Sequence, residues 1–245
     1  MFSFILFDAY FTSSLPNQLV VWIIFVLAII AAGIIMAKNA ELKTVLRLNR
    51  TFLSKYKKSA NNHPASLYVE SGGKFMPGIP FAYIYIAGIE QLRSIMHKRG
   101  FSDEDIIHIN PDPGISPVIS DAEMRSIEAC MNSELAEQTL LIEKRMSTLG
   151  TITNTATSLG LLGTVYGVME SFMAMKEGGA SMIAQVAPGI SGALLTTVIG
   201  LIVAIGGTYF YNKIADMIKE TSVKAETFTD ELIADIAKKF KIGPG

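Results

Sequence analysis

The 245 residues carry 21 lysines and arginines against 22 aspartates and glutamates, a formal net charge of −1. Half of them are hydrophobic and 18% are charged, with a mean hydropathy of +0.38, less charge than a water-soluble domain of this length normally has. A near-neutral chain offers no basic field to hold nucleic acid. Its single cysteine, Cys130, excludes an intramolecular disulfide. His63, His97 and His108 stand without ligand spacing and read as surface or packing residues, so no metal or other cofactor is expected.

Residues 1–18 hold no lysine or arginine. Phe2–Phe7 is too short to span a membrane and has no basic flank or cleavage site, so it reads as a short interfacial helix and not a signal peptide. Residues 19–37, LVVWIIFVLAIIAAGIIMA, are an uncharged run of 19, close to the roughly 20 residues a bilayer core requires. This is the first transmembrane helix.

Residues 38–146 form a polar helical domain. Asn39 to Lys58 reads as a basic helix, Asn61–Pro80 as a loop rich in glycine and proline, and Phe81 to Arg99 as an amphipathic helix packed through Phe81, Tyr83 and Tyr85. Pro111, Pro113, Gly114 and Pro117 break the chain again. From about Ile119 the pattern is helical, with Ile127, Met131, Leu135, Ile142, Met146 and Leu149 near one face. Nothing punctuates it before Gly150, so it is expected to run directly into a second span at 147–175.

A turn at 176–181 leads to a third span at 182–212, and residues 213–245 read as a helical tail. The predicted fold is an all-α integral membrane protein with three transmembrane helices, spans two and three extending into long cytoplasmic helices. Basic residues number 14 in 38–147, 6 in 213–245, 1 in the turn and none in 1–18. The positive-inside rule then places the large loop and the tail in the cytoplasm, with the N-terminus and the turn on the far side.

Chemistry is sparse. No Walker loop, metal-ligand cluster or nucleophile elbow is present, so no enzyme is expected. In span two, Thr153, Thr157, Gly160, Thr164, Gly167 and Ser171 follow at steps of 4, 3, 4, 3 and 4, which puts all six on one helix face. Leu159, Leu161, Leu162, Val165, Val168 and Met169 cover much of the rest. Apolar outside with a small hydroxyl-bearing seam inverts the amphipathic pattern of a soluble helix and suits a bilayer. Gly189, Ala193, Thr196, Thr197, Gly200, Ala204 and Gly207 make a second such stripe in span three. One hairpin alone is not expected to satisfy both stripes, which points to a ring of subunits.

Thr164 and Thr197 lie near mid-depth. Each hydroxyl either bonds the i−4 carbonyl of its own helix or contributes to a polar lining together with Thr157, Gly160, Gly167 and Gly200. Glu170 is the one carboxylate of the spans and a candidate titratable group. It sits about 240° round the helix from Thr164 and near the charged Lys176–Glu177 end, the position of a snorkelling interfacial acid. A proton pathway built on the lining then needs a carboxylate from another chain.

GLLGTVYGVMESF from Gly160, VAPGISGALLTTVIGLIVAI in span three and Tyr211–Asn212 resemble the MotA/TolQ/ExbB proton-channel family, in its ExbB/TolQ branch, as does Cys130–Leu135 before span two. The resemblance covers most of the chain and implies a homopentamer in the bacterial inner membrane whose second and third spans line a pore. It also implies a single-span partner of ExbD or TolR type, supplying a membrane aspartate, and a TonB- or TolA-type transducer energised by proton flow. Thr164 matches the threonine of the family's GTV, and Thr197 the one in its third span. The family's glutamate before the AL of span three is Gly192 here, and a proline common before GLLGTV is Thr157. The four-span MotA branch fits less well. A structural assembly protein without ion flux is the alternative; a small-solute transporter lacks the inverted repeat it would need.

Overall fold

The computed structural model describes residues 10–11, 13–59, 63–73, 78–107, 118–177 and 182–243. In chain order these form α1 (Leu15–Ser59), α2 (Ser66–Glu70), α3 (Pro80–Lys98), α4 (Asp103–Ile107), β1 (Val118–Ser120), α5 (Asp121–Glu143), α6 (Met146–Glu177), α7 (Met182–Lys239) and β2 (Lys241–Gly243). The interfacial helix expected at Phe2–Phe7 and most of the expected turn at 176–181 lie outside the described residues. The chain divides into two units, Met1–Asn39 with Arg145–Ala215, and Ala40–Lys144 with Asp216–Gly245.

The first unit contains helical stretches long and apolar enough to cross a membrane, in α1, α6 and α7. Leu19, Trp22, Phe25 and Ile29 of α1 are exposed, as are Leu161, Leu162, Val165 and Phe172 of α6 and Leu201, Ile202 and Ile205 of α7. So much exposed large apolar surface is unstable in water and matches hydrocarbon. The chain is a multi-pass membrane protein built from α-helices. Threonine is a mediocre helix former in water, yet α6 tolerates six of them. Thr151 Oγ1 donates to Ser147 O at 3.0 Å, Thr153 Oγ1 to Leu149 O at 2.9 Å and Ser171 Oγ to Gly167 O at 2.8 Å. These bonds to the preceding turn satisfy the hydroxyls where no water can.

The two small-residue stripes pack against each other within one chain. Thr153 meets Gly207, Gly160 meets Gly200, Gly167 meets Ala193 and Ser171 meets Gly189, a steady antiparallel register. The expectation that one hairpin could not satisfy both stripes is corrected here: each stripe is the other's partner, because a glycine stands on at least one side of each of these contacts. A Cβ on Gly200 would stand 2.7 Å from Ala156 O and 3.1 Å from Gly160 Cα, and one on Gly160 would stand 3.0 Å from Thr196 O. Gly206, on the same helix, has nothing within 4 Å of a Cβ.

The second unit has an ordinary water-excluding core. Phe52, Tyr56, Phe81, Tyr85 and Phe228 form its aromatic centre, with Phe81 stacked on Phe228 at 5.3 Å between ring centroids and the other close pairs edge-on. Tyr56 Oη donates to Asp235 Oδ2 at 2.8 Å, so the phenol is buried with its hydroxyl paired. Helix α5 starts in a capping box: Ser120 Oγ accepts from Glu123 N at 3.3 Å and Glu123 Oε2 accepts from Ser120 N at 2.9 Å. It lies against α3, where Gly88 leaves room for Met131. Beside them the Arg93 fork grips Asp103 at 2.6 and 2.8 Å and holds that carboxyl below the usual range.

Four boundaries differ from those read off the sequence. Helix α1 begins at Leu15, with Pro16 in its first turn, and continues without a break to Ser59. The helix expected from Ile119 straight into span two is interrupted at Lys144–Arg145, where Arg145 adopts φ 74°, a left-handed conformation no sequence pattern announces. The helical tail stops at Lys239, and Lys241–Gly243 instead pairs in parallel with Val118–Ser120. The expected loop at Asn61–Pro80 holds the short buried helix α2, tied down by Tyr85 Oη, which accepts from Tyr68 N at 3.0 Å and donates to Pro64 O at 2.7 Å.

His63 is a packing residue, 1% exposed, whose Nδ1 accepts from Ala65 N at 3.1 Å while its ring lies edge-on to Phe240. Burial, with a smaller push from Lys239, lowers its pKa from 6.5 to about 4. Above pH 6.5 the ring is neutral folded and unfolded alike, and its contribution is complete. As pH falls from 6.5 toward 4 the unfolded chain takes up a proton the folded one refuses, and stability is lost. Denaturation in detergent should show wild type losing about 2 kcal/mol more than His63→Asn, which keeps the acceptor, between pH 7 and pH 5.

The glycine contact makes a second prediction. Gly200→Ala should cost about 1–3 kcal/mol through overpacking against backbone. Gly206→Ala should be neutral or stabilising, since alanine is the better helix former. Thermal melts of the two purified variants, run side by side, check the difference.

Candidate functional site

Where α6 and α7 cross at their closest, three hydroxyls gather around two carbonyls. Thr197 Oγ1 donates to Gly160 O at 2.9 Å, and Thr196 Oγ1 to Ala193 O at 2.7 Å with Gly160 O a further 3.1 Å away. Thr164 Oγ1 touches Thr197 Oγ1 and lies 3.0 Å from Ala193 O and 3.3 Å from Gly160 O. Three protons suffice: one each from Thr196 and Thr197 to the carbonyls, and one from Thr164 to Thr197 or Ala193 O. The cluster exists because Gly160 has no side chain. Its carbonyl already serves the helix, and its second lone pair is reachable from α7 only across a bare Cα.

The predicted residues divide into two groups. Gly160, Gly167 and Gly200 are buried in the contact between α6 and α7, where they are points of close approach. Thr164 and Thr197 are half-buried at the margin of the contact. Thr157 is exposed on α6 and donates to Thr153 O at 3.4 Å, one turn from the cluster. Thr164 lies within reach of its own i−4 carbonyl, Gly160 O, whereas Thr197 passes over its own, Ala193 O, for one on the other helix. Glu170 is half-buried, six residues and about 9 Å along the axis from Thr164, outside the cluster.

Two residues outside the predicted lining complete the site, Thr196 from the second stripe and Asn17, which was not singled out. Thr196 is fully buried, its side chain seated in the space left by Gly163. Asn17, near the start of α1, is 1% exposed with its amide nitrogen against Gly167. Thr196 was visible as the neighbour of Thr197; for Asn17 only the rarity of a carboxamide beside an apolar run hinted at a buried role. Among the described residues no group of His, Cys, Asp and Glu is arranged to hold a metal.

Chemically, such a cluster donates and accepts hydrogen bonds, and it can reorient them, but no hydroxyl in it titrates near neutral pH. It can solvate and pass on a proton that some other group brings.

Comparison with known proteins agrees in kind. Residues 90–227, more than half of the chain, match the MotA/TolQ/ExbB proton channel family. The Tol-Pal system protein TolQ of Haemophilus influenzae is 29% identical over 224 residues, 91% of this chain and 90% of the relative. TolQ of Pseudomonas aeruginosa is 31% identical over 153 residues, 62% of each chain. The biopolymer transport protein ExbB of Pseudomonas putida is 46% identical over 67 residues, 27% of this chain and 20% of the relative. With three apolar helices and a mid-span hydroxyl cluster built on the GLLGTV segment, the chain belongs to the MotA/TolQ/ExbB proton channel family.

Proposed function

We propose that this chain is the ring-forming subunit of a proton-driven motor in the bacterial inner membrane, of ExbB/TolQ type, which couples the proton motive force to a TonB- or TolA-type transducer. Five copies surround single-span helices of an ExbD- or TolR-type partner. The N-terminus and the 176–181 turn face the periplasm, while residues 38–146 and 213–245 lie in the cytoplasm, in keeping with their share of the basic residues. The names of the relatives and the matching family support the reading at the level of family.

The observation that carries the mechanism is the pairing of Thr164 with Thr197, half-buried and without a carboxylate among the partners of either. A partner's aspartate crossing at that depth costs about 2.5–3.5 kcal/mol when ionised. Hydroxyl bonds worth roughly 0.6 kcal/mol each across membrane helices offset part of this. The aspartate is protonated on one side, passes the hydroxyls of successive subunits, and releases its proton on the other. Gly192, where the family has glutamate, leaves this route without an acid of its own in that position.

A second reading, an assembly scaffold without ion flux, is favoured by the same bonds: the hydroxyls are already satisfied inside the hairpin. Substitution separates the two. Thr197→Val and Thr164→Val should each leave the protein assembled and remove most energised uptake or envelope integrity in a strain lacking the native gene. Thr196→Val, whose hydroxyl is sealed in the contact, should retain most of it. Full activity in Thr197→Val means that the hydroxyl serves the helix contact alone, and absence of proton flux when the chain is co-expressed with a partner favours the scaffold. Orientation is checked by impermeant thiol labelling of intact cells carrying Ser14→Cys or Ser66→Cys over Cys130→Ser, with labelling expected at position 14 alone.

A further inference from the structure

In the second unit, α1 carries opposite charges on opposite faces. On one face Lys43, Arg47 and Arg50 are exposed, within about 10 Å along the axis and about 60° of arc. On the other, about 160° round the helix from Lys43, Glu41 and Val45 border an open hollow of about 580 Å³. Tyr83 of α3 and Glu134, Glu137 and Leu141 of α5 line it further. Three of its lining residues are glutamates and none is basic. Glu134 accepts from Gln138 Nε2 at 2.8 Å, yet among the described residues neither Glu134 nor Glu137 forms an ion pair. Lys43, Arg47 and Arg50 form none among those residues either. Leu141 is 51% exposed beside the glutamates. A concave surface lined by one sign of charge focuses its field on the opposite sign.

We infer that this hollow receives the Lys43–Arg47–Arg50 stripe of a second copy of the chain, an inference that rests on the ring proposed above. Copies in a membrane ring are related by rotation about the membrane normal, so residues of neighbours meet only at equal height. Glu41 and Val45 each lie about 3 Å along the axis from Lys43, on a helix that continues from span one without a break. Stripe and hollow therefore share a height, and their charges are complementary. They also lie on different faces, as a head-to-tail contact requires. A two-fold dimer would set each patch against itself, basic on basic. In the ring the head groups of Lys43 and Arg47 reach Glu134 and Glu137, while their aliphatic stems cover Leu141. Such pairing fixes register and partner more than it adds affinity, so it specifies which faces of neighbouring copies meet.

The test co-expresses two full-length chains with different tags, Arg47→Cys and Glu137→Cys, each over Cys130→Ser, and treats the membranes with a short bismaleimide. A cross-linked dimer holding one of each tag is expected. Lys58→Cys in place of Arg47→Cys should give at least ten times less, since Lys58 lies on the same face but about 17 Å further along the axis. Lys43→Glu on the first chain, or Glu134→Arg on the second, should each lower the yield severalfold, and the two together should restore it. A yield that neither reversal changes overturns the inference, because the faces then meet without charge pairing. Native mass spectrometry of the wild type keeps the two readings apart. A monomer there overturns the ring and this interface together. A ring whose mixture gives no more dimer than the Lys58→Cys control overturns the interface alone, and leaves the hollow to some other cation.

Discussion

The approach of Gly160 to Gly200 is the contact on which the membrane part of this protein depends. Lipid tails are as apolar as leucine, so no hydrophobic force drives two spans together. What remains is dispersion at short range and hydrogen bonding, and both demand that the backbones come close. A Cβ at either glycine would meet backbone atoms at about 3 Å or less. The same closeness exposes Gly160 O to Thr196 and Thr197, so the polar cluster is a consequence of the packing. Geometry of the hydroxyls and stability of the hairpin are therefore one property, set by two missing side chains.

The two units obey different solvents. In the second, large aromatic side chains are buried and charged groups are paired at the margin, as Arg93 and Asp103 are. In the first, the large side chains are outside and the small ones inside. Helices α1 and α7 contribute residues to both units and change pattern along their length accordingly. The inversion follows from where each stretch finds its better solvent, hydrocarbon or water.

The hydroxyl cluster has a chemical asymmetry that shapes the proposed mechanism. It can receive and return a hydrogen bond at little cost, yet it holds no group that carries a proton at neutral pH. Glu170 stands about 9 Å along the helix from Thr164, outside the cluster, and Gly192 supplies no acid. In the proposed ring the mobile proton belongs to the partner, and this chain supplies a periodic, rigidly held set of acceptors. Rigidity matters because Thr164 and Thr197 are positioned from two helices, and a loosened contact would separate them.

Much of this was legible in the linear chain, for reasons that can be stated. Spans one and three show as uncharged runs, and span two as a run with Glu170 as its one acid, because a bilayer penalises charge along a helix, which makes the signal local and strong. The stripes show because helix periodicity is a local rule. Thr164 and Thr197 could be selected as polar residues at similar depth. What the stripes faced could not be read, since periodicity marks a face and is silent about its partner; only the tertiary structure decided that Gly160, Gly167 and Gly200 serve helix approach. The break at Arg145 was hidden because a non-glycine residue with positive φ has no sequence mark. The pairing of Lys241–Gly243 with Val118–Ser120 joins segments over a hundred residues apart. Composition and period determined which residues enter the membrane and on which faces. Long-range contact alone decided which faces meet, and with them which hydroxyls bond across the two helices.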